Sequence, residues 1–429
     1  MADRFRQLSM IGAALTANGL RPARGRAFMV PSFFSAWLTA ELAPHNLAIT
    51  VAGTTAHVAR HGVRRNDAPA LLMNAASVAG LASMIRTSQR ARGVLEAALA
   101  DGLGEGWLDI LEDKPDPGEM GTPWRQLFQP FRFQHPEVVK VTDLVYDETH
   151  GRRGRLDVFH RRDIPEGAPV LFQIHGGGWT IGDKREQGLP LMLHLAARGW
   201  VCVAPNYRLS PRAVWPDHIV DLKRALAWVR NEIGAYGGDP AFVAVTGGSA
   251  GGHLSAMVGL TGNDPRFQPG FEDADTSVQA CVPIYGLYDI ANELGAKETK
   301  WRSDSLMRNY VFKSWLERDR ERWLSASPLA NIRPDLPPFF VIHGRNDTLA
   351  PLSEAQAFVE RMRSTSKSKV VFAELPGAQH AFDIFPSIRS AHVVRAVDVF
   401  LRWARTTAQE RPHAAADEPL EVTEAEEAV

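Results

Sequence analysis

The chain has 429 residues, 45% of them apolar and 23% charged, the composition of a globular protein with room for a sizeable core. Its 48 lysines and arginines nearly balance its 49 aspartates and glutamates, so no global field favours a nucleic acid, and none is expected as a partner. The two cysteines, Cys202 and Cys281, lie in apolar runs with no further ligand pair at metal spacing, which excludes a disulfide framework and argues against a metal site.

Residues 1–125 are rich in alanine and arginine and read as helices, among them 28–42 and 71–99. The N-terminus has early arginines but no long apolar core and no clear cleavage site, so a secretory signal is not expected and a cytoplasmic location is. The uncharged stretch APALLMNAASVAGLASMI (68–85) reaches the lower length limit of a spanning helix. Its Ala, Ser, Asn and Gly make it only weakly hydrophobic, so a helix packed on protein or resting on a membrane surface is expected rather than a true span. The region is therefore read as a cap, an association element or a peripheral membrane contact. No oligomeric state follows.

Residues 126–407 alternate short apolar strands with amphipathic helices. Segments 138–147 and 155–160, separated by ETHGRRG, suggest an antiparallel pair at a sheet edge. Further strands are expected at 169–174, 200–206, 242–246, 278–285, 339–342 and 370–375. Between them, Ile219, Leu222, Leu226 and Val229 recur every three or four residues and share one helical face. This alternation predicts an α/β fold: a mostly parallel sheet covered by helices on both sides, with functional groups at the carboxyl ends of its strands. Residues 287–325 interrupt the pattern and are read as a lid insertion, in which Met307, Tyr310, Val311 and Trp315 either face a substrate or dock the insertion onto the body. The acidic, alanine-rich end, 408–429, reads as disordered.

The strand ends carry the chemistry. After PVLFQI stands His175-Gly176-Gly177-Gly178-Trp179; after FVAVT stands Gly247-Gly248-Ser249-Ala250-Gly251; Asp347 follows FFVIHGRN and His380 follows VVFAELPGAQ. A glycine-flanked serine alone is equally a tight turn. The G-x-S-x-G elbow between strand and helix, with Ser, Asp and His in that order at successive strand ends, is the α/β-hydrolase arrangement. Serine needs a base to take its proton, His380, and the imidazole needs an orienting carboxylate, Asp347. Asp289 competes as the acid, and His175 and His343 as the base, but Asp347 follows the later strand; His175 is expected to pin its loop by hydrogen bonding, and His218 and His253 read as structural. Trp179, Tyr207 and Trp215 are read either as pocket lining or as packing.

Residues 138–405 resemble the hormone-sensitive-lipase-like esterases, with HGGGW, YRLSP and GGSAGG in order, and are similar to the bacterial branch of feruloyl and acetyl-xylan esterases in which HGxxD carries the acid. The resemblance implies an α/β-hydrolase fold and a serine hydrolase of short- to medium-chain acyl or lipid esters without metal or cofactor. It assigns the oxyanion hole to the N–H groups of Gly177, Gly178 and Ala250. Two departures stand out: Gly248 occupies a position where relatives often carry an acid, and His343-Gly344-Arg345-Asn346-Asp347 replaces their usual acid motif. Two other readings remain open, an arylformamidase using the same triad and a ligand receptor on the same scaffold; the presence of His380 weighs against the latter.

Overall fold

The computed structural model describes residues 2–111, 122, 124–164 and 166–410. Most of the acidic tail expected over 408–429 lies outside them. Four helices come first: α1 (Ala2–Leu20), α2 (Met29–Glu41), α3 (Ala43–His61) and α4 (Ala68–Leu103). A single turn, α5 (Trp124–Leu127), precedes the strands β1 (Val138–Val145), β2 (Arg155–Arg161) and β3 (Ala168–Ile174). The alternating part follows as α6 (Leu189–Ala197), β4 (Val201–Pro205), α7 (Asp217–Glu232), β5 (Gly238–Gly248), α8 (Ala250–Leu260) and β6 (Ala280–Ile284). The interruption holds α9 (Lys297–Arg302), a π-helical stretch (Ser303–Phe312) and α10 (Arg320–Ser325). Then come β7 (Phe339–Gly344), α11 (Leu352–Thr365), β8 (Val370–Leu375) and α12 (Ile388–Glu410).

The strands form one sheet in the order β1-β2-β4-β3-β5-β6-β7-β8. β2 pairs antiparallel with both β1 and β4, and all other neighbours are parallel. The expected edge hairpin and all six further strands are present. Side chains alternate across the sheet, so Val170 and Phe172 of β3 enter the core beneath α7, α8 and α11, while Leu171 enters the one beneath α4, α6 and α12. Both faces are thus covered, which is why β3 and β5 read as continuous apolar runs. Ile219, Leu222, Leu226 and Val229 are all fully buried on the sheet-facing side of α7.

Sequence texture divides the chain near residue 125, but packing joins what texture separates. The first half of α4 lies against α1, where Gly80 abuts Thr16 and Leu20; the second half lies on the sheet, where Gly102 faces the backbone of Val371 in β8. Leu95 and Leu99 of α4 belong to the same core as Met192 of α6 and Phe400 of α12. Each such leucine contributes about 1.5–3 kcal/mol by leaving water. The Asn18 side chain ties α1 to α2, donating to Ser35 Oγ at 2.8 Å and accepting from Ser32 Oγ at 2.9 Å.

Candidate active site

The elbow forms because β5 and α8 meet with no intervening loop. Ser249 stands between them at φ 59° and ψ −122°, a conformation that costs a non-glycine residue on the order of 1–3 kcal/mol. Its amide donates to Ile284 O at 3.1 Å, which ties the strained residue to β6. A Cβ on Gly251 would lie 2.2 Å from Ile174 O, so only glycine lets the helix start this close to β3. Ala250 opens α8, where the first N–H groups of a helix have no intrahelical acceptor.

The HGGGW loop leaves β3 beside the elbow, and a Cβ on Gly176 would meet Gly248 O and Ser249 Cβ. Gly177 and Gly178 take φ values of 114° and 57°. The loop is fixed by polar bonds rather than by its own bulk. Tyr207 Oη donates to His175 O at 3.0 Å, Gly176 N to Gln187 Oε1 at 2.7 Å, and Lys184 N to Asn206 Oδ1 at 2.8 Å. Lys184 Nζ also pairs with Asp143 at 2.8 Å and with the buried Asp157 on β2. Burial alone would raise the Asp157 carboxyl; Arg185, Lys184 and Lys140 hold it well below the carboxylate range. The His175 ring stacks on Tyr207 at 4.4 Å, its Nδ1 lies 2.8 Å from Gly176 O, and burial lowers its pKa to about 4, so it is a neutral support for the loop.

At the ends of β7 and β8, Asp347 Oδ2 lies 2.7 Å from His380 Nδ1. Its other oxygen accepts from Leu349 N and Ala350 N, both at 2.8 Å. Burial would raise this carboxyl, but His380 and these donors bring it below its ordinary value. Gln379 Oε1 accepts from His380 N and Thr348 N at 2.9 Å each, clamping the two loops together. His343 is fully buried with Nε2 on Ala350 O at 3.0 Å, so it braces the aspartate loop. Asp289 sits elsewhere: its carboxylate accepts from Glu293 N at 2.8 Å and Leu294 N at 2.9 Å, and burial raises its pKa.

Trp179, Tyr207 and Trp215 are packing residues rather than pocket lining. Trp179 Nε1 donates to His253 Nδ1 at 3.3 Å and Trp215 Nε1 to Ser325 Oγ at 2.9 Å, and all three side chains are fully buried. In the insertion, Met307 and Val311 dock into the core, whereas Tyr310 and Trp315 are exposed. Leu306 of the insertion approaches the glycine loop, 3.6 Å from where a Cβ on Gly178 would be. The insertion is pinned at Glu354 of α11, which accepts from Arg302 at 2.7 Å, Thr299 Oγ1 at 2.5 Å and Tyr288 N at 3.1 Å.

Two residues of the site, Tyr285 and Phe33, were missed from sequence, and Asp383 is set aside there as an acid for lying too close to His380. The Tyr285 ring lies 4.6 Å from that of His380, and its hydroxyl bonds to Asp383, whose carboxyl is raised by burial. A Cβ on Gly248 would lie 2.5 Å from Tyr285 Oη, so this tyrosine fills the space that an acid at 248 would need. Tyr285 directly follows β6, next to last in the run VQACVPIYG, and its place at a strand end was the available signal. Phe33 of α2 meets the His380 ring edge-on at 5.8 Å. No sequence signal linked residue 33 to residue 380.

An eight-stranded, mostly parallel sheet with a strained serine after β5 and an Asp–His pair after β7 and β8 defines an α/β-hydrolase. A family model described as BD-FAE matches residues 156–362. The chain is 44% identical over 407 residues to the probable carboxylic ester hydrolase LipM of Mycobacterium tuberculosis, covering 92% of this chain and 91% of that relative. It is 42% identical to esterase LipQ of the same organism, covering 73% and 75%. Among solved structures, esterase B from Lactobacillus rhamnosis aligns with a TM-score of 0.54 at 19% identity, over 66% of this chain and 91% of that one, a likeness of fold. The chain belongs to the hormone-sensitive-lipase-like esterases of the α/β-hydrolase superfamily, and it is a carboxylic ester hydrolase.

Proposed function

We propose that the protein cleaves short- to medium-chain acyl esters through an acyl-enzyme on Ser249, with His380 as base and Asp347 as its orienting acid. Ser249 Oγ bonds to the acyl carbon as its proton passes to His380 Nε2. The negative charge that develops on the carbonyl oxygen is met by the N–H groups of Gly177, Gly178 and Ala250. Collapse breaks the ester C–O bond, and the departing alkoxide takes the proton from His380. A water then repeats the sequence, giving its proton to His380 as it attacks, and the carboxylic acid leaves as Ser249 is restored. Asp347 stays ionised throughout, holding the Nδ1–H tautomer and stabilising the imidazolium. Phe33 and Leu306 give the site apolar neighbours suited to an uncharged acyl chain.

The observation that carries this reading is the Asp347–His380 pair at 2.7 Å, linked through the Tyr285 ring to the elbow that holds Ser249 at positive φ. An active-site-directed fluorophosphonate tests it: Ser249 is expected to be the labelled residue. Ser249→Ala should abolish labelling and lower turnover by about 10⁴-fold or more while leaving the Tm unchanged. An active Ser249→Ala enzyme would sink the assignment. Turnover of N-formylkynurenine above that of p-nitrophenyl acetate and butyrate would replace the ester reading with a formamidase.

A further inference from the structure

The outer surface of the N-terminal helices is apolar where a water-facing helix would be polar. On α1, Leu8, Ile11 and Leu15 form one exposed stripe, continued one turn earlier by Arg4. On α2, Phe33, Ala36 and Ala40 are buried, but Val30, Phe34 and Leu38 form a second apolar stripe on the solvent side. On α3, Ile49 is 70% exposed, and on α4 Leu72 is 71% exposed. Leu72 is followed on its face by Ala76, Ala79 and Ser83, so no charge appears there before Arg86. By length and composition Arg65–Leu103 qualifies to cross a membrane, yet only a third of its most apolar window is buried.

Charge is arranged with equal bias. Residues 2–85 contain eight arginines, no lysine and three acids, Asp3, Glu41 and Asp67. All eight arginines are exposed, while Glu41 and Asp67 are both buried. A nearly neutral chain therefore presents, over this region, apolar stripes flanked by an excess of exposed positive charge. Water gains nothing from such a surface, and a protein partner would need both an apolar patch and matching acids. An anionic lipid surface offers a hydrocarbon boundary for the leucines and phenylalanine together with headgroup charge for the arginines.

We propose that α1, α2, α3 and the first half of α4 form a docking face for an anionic bilayer, with the apolar stripes at the headgroup–acyl boundary and the arginines among the headgroups. The helices lie on the surface rather than span it. The second half of α4 is committed to the sheet, and the first half is tied to α3 by Asn74 Nδ2 donating to Thr54 Oγ1 at 2.8 Å. This binding is independent of the catalytic assignment, since it is read without any hydrolysis.

The test is flotation of the full-length protein with vesicles of phosphatidylcholine alone and of phosphatidylcholine with phosphatidylglycerol. Binding is expected on the anionic vesicles, weak on the neutral ones, and reduced by salt. Leu8→Glu with Ile49→Glu should lower partitioning about tenfold or more, since each removes a leucine-sized apolar contact. Arg4→Gln with Arg6→Gln should lower it about tenfold as well, through lost headgroup attraction. Both double variants should hydrolyse soluble p-nitrophenyl acetate at the parental rate, which reports that they are folded. Failure to float with anionic vesicles, or parental partitioning by both folded variants, overturns the proposal. Protein that resists both high salt and alkaline carbonate overturns the surface placement, because it would be spanning.

Discussion

The ends of β7 and β8 and the outer half of the N-terminal helices solve opposite problems. Around Asp347, one carboxylate holds His380 and two backbone amides, and Gln379 bridges the two loops, so position is fixed by directional bonds. Between α1 and early α4, position is set by small side chains in contact, as where Gly80 of α4 meets Thr16 of α1, and the outward surface makes no directional demand. The first construction suits a reaction in which atoms must be aligned before charge develops. The second suits contact with a fluid surface. What joins them is α2, which carries Phe33 against His380 on one side and Phe34 toward solvent on the other.

The sharpest way to break the first construction alone is Asp347→Asn. The amide keeps the shape but favours the wrong imidazole tautomer, and kcat should fall by about 10⁴-fold with vesicle binding untouched. A variant retaining a tenth of parental activity would remove Asp347 from its role.

Next in size is the junction between the regions. Glu41 of α2 pairs with Arg389 of α12 and accepts from Ser387 Oγ at 2.7 Å; both members of the ion pair are about 1% exposed. Glu41→Ala leaves the guanidinium buried and unpaired and should cost about 3–5 kcal/mol in urea unfolding. A change below about 1 kcal/mol would mean that α2 is held by its apolar stripe alone.

A third effect concerns acid. Burial lowers the rings of His175, His218, His253 and His392 to about 4, about 3, about 4 and about 4. Because the unfolded chain binds these protons first, their contribution is complete above about pH 6.5 and is lost as pH falls toward 4. Thermal scans should show a Tm that is steady above pH 7 and declines below about 6.5, by the equivalent of several kcal/mol at pH 4.5. A flat profile over that range would show that these rings do not stay neutral in the fold.

The smallest effect tests the shared helix. Phe33→Ala removes an apolar wall beside His380 without touching its hydrogen bonds, so KM for a butyrate ester should rise about threefold to tenfold with kcat nearly kept. A matched fall in kcat would instead mean that Phe33 holds the histidine ring in place.

The strands and the elbow were legible because they are local: alternation, glycine spacing and strand-end position all lie within a few residues of one another. Asp347 was distinguishable from Asp289 only by which strand it follows, and the structure places Asp347 on His380 while Asp289 caps its own turn. For the aromatic residues near the motifs, sequence left lining and packing open, and the structure gives packing. Trp179 and Trp215 are beside the site in sequence, but their indole N–H groups find partners that draw them into the core. Phe33 and Tyr285 went unseen for the converse reason, since both reach the histidine across long stretches of chain. The departure at Gly248 became intelligible only with Tyr285 in place.

Helix α4 has one further consequence. Thirty-six residues make a rod about 54 Å long, and no break interrupts it between Ala68 and Leu103. One end is welded to β8 and α12 and the other belongs to the α1–α3 bundle, so it acts as a handle. Any turn of the α1–α3 bundle would therefore be carried along that rod to the sheet that holds Ser249.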